Sequence, residues 1–235
     1  MKTRTQVWLS AVVISCLILM LSSSCSKKND SNNPNLPPAT VTDIDGNVYH
    51  TVTIGTQVWM VENLNVTHYR NGDPIPNITD NTAWLNDTTG AYSNYNNDVN
   101  YSISYGRLYN WYAVANNRKI APAGWHVPTD AEWTVLTDSL GGDSIAGGKM
   151  KEAGTAHWLS PNTGATNSSG FTALPGGGRD YNGGFYYLTH GAYFWSSTEY
   201  SSPNAWYRGL GYGNESVGRY YDIKTDGFSV RCVHD

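Results

Sequence analysis

The amino-acid sequence predicts an α+β domain. Three observations point there. Extended, turn-punctuated segments lie over residues 41–64 and again from about residue 171 to the end. One sharply capped amphipathic helix lies between them, near residues 129–140. The order strands, loops, helices, strands keeps the two kinds of element apart along the chain.

The first element is a hairpin or meander. Asp45-Gly46 is a turn pair between apolar-rich flanks. Val48, Val52 and Ile54 share one parity, and Val58-Trp59-Met60 is extended again after Gly55-Thr56. Asp43, Asp45 and Asn47 suggest calcium. An EF-hand loop counted from Asp43 wants Gly at its sixth position and Glu at its twelfth, where this chain has Val48 and Ile54. Only a looser calcium site stays open. Residues 65–105 are dense in turn formers and predict long ordered loops pinned by Trp84 and several tyrosines. Residues 105–117 fit either a short helix or a buried strand.

Thr129-x-x-Glu132 after Pro128 is a capping box, and Trp133, Leu136 and Leu140 then fall on one helical face. Gly141-Gly142 stops that helix. A second short helix is predicted over 144–152, weakened by Gly147 and Gly148. Beyond residue 171 the Gly- and Tyr-rich segments read as antiparallel strands, with Gly176-Gly177-Gly178 as a turn. At the end, Phe228, Val230 and Cys232 alternate as a buried face, with Ser229, Arg231 and Val233 pointing the other way. The sum is short twisted antiparallel sheets, two short helices and long ordered loops.

The N-terminal residues read differently. Residues 1–24 have the layout of a secretory signal: Lys2 and Arg4, an apolar run from Val7 to Leu21, then three serines before Cys25. The run is shorter than the roughly 20 residues of a comfortable membrane span. Small residues ending on a cysteine resemble a bacterial lipoprotein processing site. Cys25 is therefore the expected lipidation residue, and a membrane reached through that lipid is an expected partner. Residues 25–40, polar and rich in Asn and Pro, read as the lipidated cysteine and a flexible tether. Residues 41–235 are left as a single domain.

Charge and composition narrow the function classes. Beyond residue 40, eleven Lys and Arg stand against eighteen Asp and Glu. Nucleic acid wants a basic footprint and is not an expected partner. Cys232 is the only cysteine beyond residue 40, so that part of the chain has no internal disulfide and packing must hold it. No heptad pattern or apolar edge predicts an oligomer, so a monomer is expected.

Six strings carry a resemblance: IGTQVWMVENL, YGRLYNWYAV, APAGWHVPTDAEW, GFTALPGGGR, YFWSSTE and GFSVRCVHD. They resemble the signature of the Fibrobacter succinogenes major paralogous domain, over about residues 44–235. That family sits on exported proteins and lipoproteins of Bacteroidetes and Fibrobacteres. The resemblance implies an outer-membrane lipoprotein on the periplasmic or surface-exposed face. The family is similar to C-type-lectin-like folds, including the formylglycine-generating sulfatase modifiers. That likeness implies a C-type-lectin-like, sulfatase-modifying-factor-like fold. The matching pieces here are Val127 to Trp133 and Gly227 to Arg231, the second with two extra residues.

The formylglycine-generating enzymes need two cysteines, and only Cys232 is present in the domain. The histidines show no i, i+4 ligand pair. Asp180, Glu199, Glu215, Asp222 and Asp226 offer carboxylates for glycoside cleavage, but many such pairs arise in a chain of this composition. No catalytic residue and no metal ligand is assigned. The expectation is a non-catalytic module that binds an extracellular glycan or an envelope protein. The candidate residues are Arg179, Asp180, Tyr181 and Asn182, then Trp206, Tyr207 and Arg208, then Tyr212, Asn214, Arg219 and Tyr220. Strand alternation puts Trp206 and Arg208 on one face and Tyr207 on the other. A structural envelope protein and an enzyme remain the alternatives.

Overall fold

The computed structural model describes residues 39–235, so the signal segment, Cys25 and the tether up to residue 38 lie outside the described residues. β1 (Thr40–Thr42), β2 (Val48–Ile54) and β3 (Gln57–Met60) form the expected antiparallel meander. Asp43 closes its first turn, accepting from the backbone N–H groups of Asp45 and Asn47 and from the Tyr49 hydroxyl. Asp45 is taken up by Thr67 and His68. Protein donors hold both carboxylates, and the acidic string acts as turn chemistry. Tyr49 and Ile54 are buried while Val48 is exposed, so the buried face changes parity along β2.

The stretch expected as loops holds most of the unexpected structure. In chain order come α1 (Asn81–Asn86), β4 (Tyr92–Ser93), a 3-10 turn (Tyr95–Asn97), α2 (Val99–Tyr105), β5 (Leu108–Asn110) and α3 (Trp111–Val114). Each helix starts on a side-chain cap. Asp80 accepts from the Ala83 N–H, Asp98 from Asn100 and Asn110 from Ala113. One or two turns are too short to show an apolar stripe, so the caps were the only signal. Residues 105–117 supply both a strand and a helix.

β6 (Trp125–His126) precedes α4 (Asp130–Ser139) and α5 (Asp143–Met150). The capping box of Thr129 and Glu132 is formed in both directions. In α5 the two glycines serve close packing: a Cβ on Gly147 would lie 2.4 Å from the Ser216 carbonyl oxygen, and one on Gly148 2.4 Å from that of Gly164. The described chain therefore has five α-helices, not two.

The rest is strand: β7 (Gly176–Arg179), β8 (Phe185–Leu188), β9 (Gly191–Ser201), β10 (Asn204–Gly211), β11 (Val217–Ile223), β12 (Gly227–Phe228) and β13 (Val233–His234). The Gly176–Gly178 run is a strand and not a turn. It pairs with β8 and β9, with Arg179 at the end of β7 pairing to β12, and a Cβ on Gly177 would lie 2.3 Å from the Tyr186 carbonyl oxygen. One sheet has the order β1-β2-β3-β13-β6; the other runs β11-β10-β9-β7-β12-β5-β4, with β8 on β7. β7 and β9 run parallel, so the second sheet is mixed. The class remains α+β. The expected lectin-like, sulfatase-modifier-like topology with antiparallel sheets and two helices is corrected by five helices, a mixed sheet and this strand order.

Two apolar clusters form the core. One centres on Tyr109, Trp195, Phe228 and Cys232; the other on Trp59, Trp133, Phe171 and Phe194. The predicted helix α4 delivers Trp133 to within 4.8 Å of Trp59, ring to ring. Near the C-terminus both strand faces are buried, because Ser229, Arg231 and Val233 are covered as fully as Phe228, Val230 and Cys232. Buried cations there end on carbonyls. Arg231 donates to Met60, Phe171 and the Asn63 side chain, and Lys151 donates to the carbonyls of Thr163, Gly211 and Asn214. Each ties several loop segments to one point. No helix among the described residues is long and apolar enough to cross a membrane.

Candidate functional site

β10 pairs with β11 in a register that sorts the predicted residues onto two faces. Trp206 lies opposite Tyr221 and Arg208 opposite Arg219; Tyr207 lies opposite Tyr220 and Gly209 opposite Gly218. Alternation puts the first two pairs on one face and the last two on the other.

On the first face Arg208 and Arg219 converge on Asp130, the first residue of α4, at 2.6 and 2.8 Å. Burial works against the Asp130 charge, yet Arg219 and Arg208 hold its carboxyl below the usual range. Arg208 is buried, and it locks α4 to the sheet. Arg219 also covers Trp206, at 3.7 Å from the ring centre. Tyr200 and Tyr221 stack beside them at 3.9 Å.

Other predicted residues are also structural. Arg179 is buried between the rings of Trp84 and Phe185 and donates to the carbonyls of Ile78, Thr79 and Gly183. Asn182 shapes the β7–β8 turn, where its N–H donates to Asp180 and its side chain accepts from Gly184. Asn214 shapes the β10–β11 turn by accepting from Ser216. Tyr212 packs edge-on against His190 at 5.3 Å.

The second face gathers the remaining candidates. Tyr207 and Tyr220 lie 5.8 Å apart, and Tyr193 of β9 lies 6.1 Å from Tyr207. Tyr186 and Tyr187 of β8 stand 5.9 and 6.4 Å from Tyr193. Between Tyr193 and Tyr220 runs a trough of about 190 Å³, floored by Gly209, Gly211 and Gly218 and ended by Asn214 and Ser216. The glycines matter here. A Cβ on Gly218 would lie 2.0 Å from the Tyr220 ring, so that ring lies flat over the strand.

Three carboxyls belong to the same face. β12 pairs Gly227 with Arg179 of β7, which places Asp226 beside Asp180, and Asp222 closes β11 nearby. Asp226 is 5% exposed and its Oδ1 has no hydrogen-bond partner. Its carboxyl is pushed far above the usual range, by burial first and then by Asp222 and Asp180; the Tyr181 N–H pulls weakly the other way. Asp226 therefore keeps its proton near neutral pH and can share it with Asp222. Burial, then these carboxyls, push the Tyr186 and Tyr207 hydroxyls up as well. Tyr193 is pushed up to about 12, by burial and then by Tyr187 and Tyr220. The face thus presents uncharged hydroxyl groups, flat rings and the partly exposed carboxyls of Asp180 and Asp222, over the buried, proton-bearing Asp226. Such a surface can stack on the C–H face of a sugar ring and exchange hydrogen bonds with its hydroxyls.

Of the predicted residues, Asp180, Tyr207 and Tyr220 lie on this face, and Tyr181 reaches it through its backbone N–H beside Asp226. Sequence reasoning missed Tyr186, Tyr187 and Tyr193 and gave Asp222 and Asp226 no binding role. The available signal was the pairing of Tyr207-x-Gly209 with Gly218-x-Tyr220, two Tyr/Gly alternations on adjacent strands.

Two histidines are engaged elsewhere. His126 bridges Asp235 at 2.7 Å and Glu132 at 2.8 Å, and His157 meets Glu152 at 2.9 Å. Among the described residues no group of three or more His, Cys, Asp or Glu is arranged to hold a metal ion. Cys232 is the only described cysteine, fully buried, with burial pushing its thiol far up. Among the described residues there is no second thiol to pair with it as in the formylglycine-generating enzymes.

No curated protein and no solved structure matches this chain. Its sequence does match the family described as the Fibrobacter succinogenes major domain, over residues 52–234. With most of its length inside that match, the chain belongs to the Fibrobacter succinogenes major domain family.

Proposed function

We propose that this chain is a non-catalytic cell-envelope lipoprotein, held through a lipid on Cys25 to the outer membrane, whose domain binds a glycan on the tyrosine face. One observation carries the reading. Tyr187 and Tyr220 leave 59% and 55% of their surface uncovered on the face that also holds Asp222 and the proton-bearing Asp226. Rings used only as packing would be covered. Rings left open beside hydroxyls and carboxyls suit a polyhydroxy ligand. A trough of this size takes one or two sugar units, so affinity for a single chain falls in the micromolar to millimolar range, about −8 to −4 kcal/mol. The test is titration of the protein with a panel of neutral and amine-bearing oligosaccharides, followed by tyrosine fluorescence or NMR. Saturable shifts at β8 to β11 support the reading. Failure of the whole panel at millimolar concentration removes it.

A protein ligand is the second reading, and the opposite face favours it. Tyr200 and Tyr221 are stacked and about half exposed there, next to Trp206 and Arg219. Tyr, Trp and Arg dominate protein-binding hot spots. Tyr221→Ala abolishing capture of an envelope protein, with glycan titrations unchanged, would move the function to that face.

A further inference from the structure

A second concavity lies away from the tyrosine face, around the loop Asn116-Asn117-Arg118-Lys119. Lys119 sits at φ 58°, in the left-handed region that costs a lysine backbone strain. In that conformation its carbonyl accepts the Arg70 N–H at 2.8 Å, which fixes the loop against Arg70. Arg70, Arg118 and Lys119, with Asn71 and Asn117, line an open hollow of about 520 Å³.

The charges in this hollow do not cancel. Arg118 lies over the Tyr69 ring at 4.0 Å and meets Asp73 at 3.2 Å. Arg70 gives Nε and Nη2 to the carbonyls of Ala121, Pro122 and Trp125, which are neutral. The Lys119 side chain is exposed and has no partner among the described residues. Three cations thus face one carboxylate, in a chain whose acidic groups outnumber its basic ones. Arg208 and Arg219 share Asp130, and Lys224 meets Glu199. The buried cations Arg179, Arg231 and Lys151 also end on neutral acceptors, but they are sealed from solvent, whereas Lys119 is exposed at the rim of an open hollow.

The hollow opens into a slot. The slot holds about 320 Å³, shares Asn117 and Lys119 with the hollow, and is lined by the apolar Val114, Ile120, Trp125 and Val127 together with the polar Asn116, His126 and Ser197. His126, on the slot's lining, is held between Glu132 and Asp235. A cationic hollow beside a slot with one apolar wall selects a ligand with both features. The two uncompensated charges match the dianion of a phosphate monoester better than a singly charged carboxylate.

We propose that this cleft binds a phosphate monoester, its phosphate among Arg70, Arg118 and Lys119 and its apolar body in the slot. The site is independent of the tyrosine face.

The test is calorimetric titration of the full-length protein with phenyl phosphate, inorganic phosphate and benzyl alcohol. Phenyl phosphate saturates, inorganic phosphate binds more weakly, and benzyl alcohol shows no saturation. Lys119→Asn weakens phenyl phosphate about tenfold, the loss of roughly one charge-assisted hydrogen bond. Asparagine tolerates a positive φ, so this variant keeps the loop. Arg118→Gln acts in the same direction, Lys119→Arg retains binding, and Tyr220→Ala leaves it unchanged. No saturation by phenyl phosphate up to about 20 mM, some hundredfold above a typical weak site, overturns the proposal. Equal affinity in wild type, Lys119→Asn and Arg118→Gln overturns it too, as does benzyl alcohol binding as well as the ester.

A vesicle arm distinguishes the source of the phosphate. In a Cys25→Ser background, wild-type and Lys119→Asn chains are sedimented with phosphatidylcholine vesicles with and without phosphatidic acid. Enrichment on phosphatidic acid that Lys119→Asn loses assigns the phosphate to a lipid headgroup. Phenyl phosphate binding without that enrichment assigns it to a soluble ester.

Discussion

Replacing Asp226 with asparagine keeps the side chain's shape and removes its titration. The unfolded chain releases this proton near the ordinary value of 3.8, whereas the folded chain holds it to much higher pH because of burial, Asp222 and Asp180. Between those two values the folded state binds the extra proton. Stability from this group is therefore full below the unfolded pKa and is lost as pH rises toward the folded one. The slope is about 1.4 kcal/mol per pH unit. From about pH 5 to about pH 7 the wild type loses about 2–3 kcal/mol on this account, and Asp226→Asn loses none of it. That is a large share of a domain stability of about 5–15 kcal/mol. The amide nitrogen can face Asp222 and the amide oxygen can accept the Tyr181 N–H, so the variant gains no orphaned group. Urea unfolding at a series of pH values gives both curves. The variant becomes the more stable protein as pH rises. Parallel curves would refute the argument, because Asp226 would then ionise alike in the folded and unfolded chains.

Three more predictions follow from the packing. Arg231→Met strands the Asn63 side chain and the carbonyls of Met60 and Phe171, so in chemical unfolding it costs about 1–3 kcal/mol for each acceptor left unpaired. A loss below about 1 kcal/mol would contradict that. Gly218→Ala forces the Tyr220 ring away from a Cβ that would lie 2.0 Å from it. Because Tyr220 is exposed, stability changes by about 1 kcal/mol or less while glycan affinity drops; unchanged affinity would contradict the trough. His126→Gln probes the bridge between Asp235 and Glu132. Burial opposes the charged ring, but the two carboxylates raise the His126 pKa; burial also opposes Glu132, but the Thr129 N–H and His126 lower its pKa. The histidine's contribution is full below about pH 6.5 and lost as pH rises through its folded value, and that of Glu132 is lost as pH falls below about 4.5. The wild-type advantage thus peaks between those values, at about 0.5–1 kcal/mol because both groups are about a third exposed. A difference independent of pH would refute the bridge.

What was legible in the sequence was local chemistry with a strong signature. The Thr129–Glu132 capping box, the Asp45-Gly46 turn and the Gly55-Thr56 corner each formed where the residues placed them. The early helices were not legible, since Asp80, Asp98 and Asn110 cap segments of only four to seven residues. Gly176–Gly178 reads as a turn by composition. It became a strand because β8 crosses too closely for any side chain, a fact of tertiary packing alone. The charged candidates failed for a related reason. Arg179 and Arg208 look like ligand groups in one dimension, and in three they bind the chain's own carbonyls and Asp130. Asp226 joined the site only through the pairing of Gly227 with Arg179, a contact between residues 48 apart that no local pattern encodes.

The central claim is that the open tyrosines of β8 and β11 bind sugar. The most direct test is an equilibrium titration of the full-length protein with the oligosaccharide panel, wild type against Tyr187→Ala and Tyr220→Ala. Both side chains are exposed, so both variants should unfold with the wild type. The account predicts saturation by at least one glycan in the micromolar to millimolar range, weakened about tenfold or more by Tyr220→Ala. A bound glycan whose affinity is the same in all three proteins would contradict it, as would a panel in which nothing saturates.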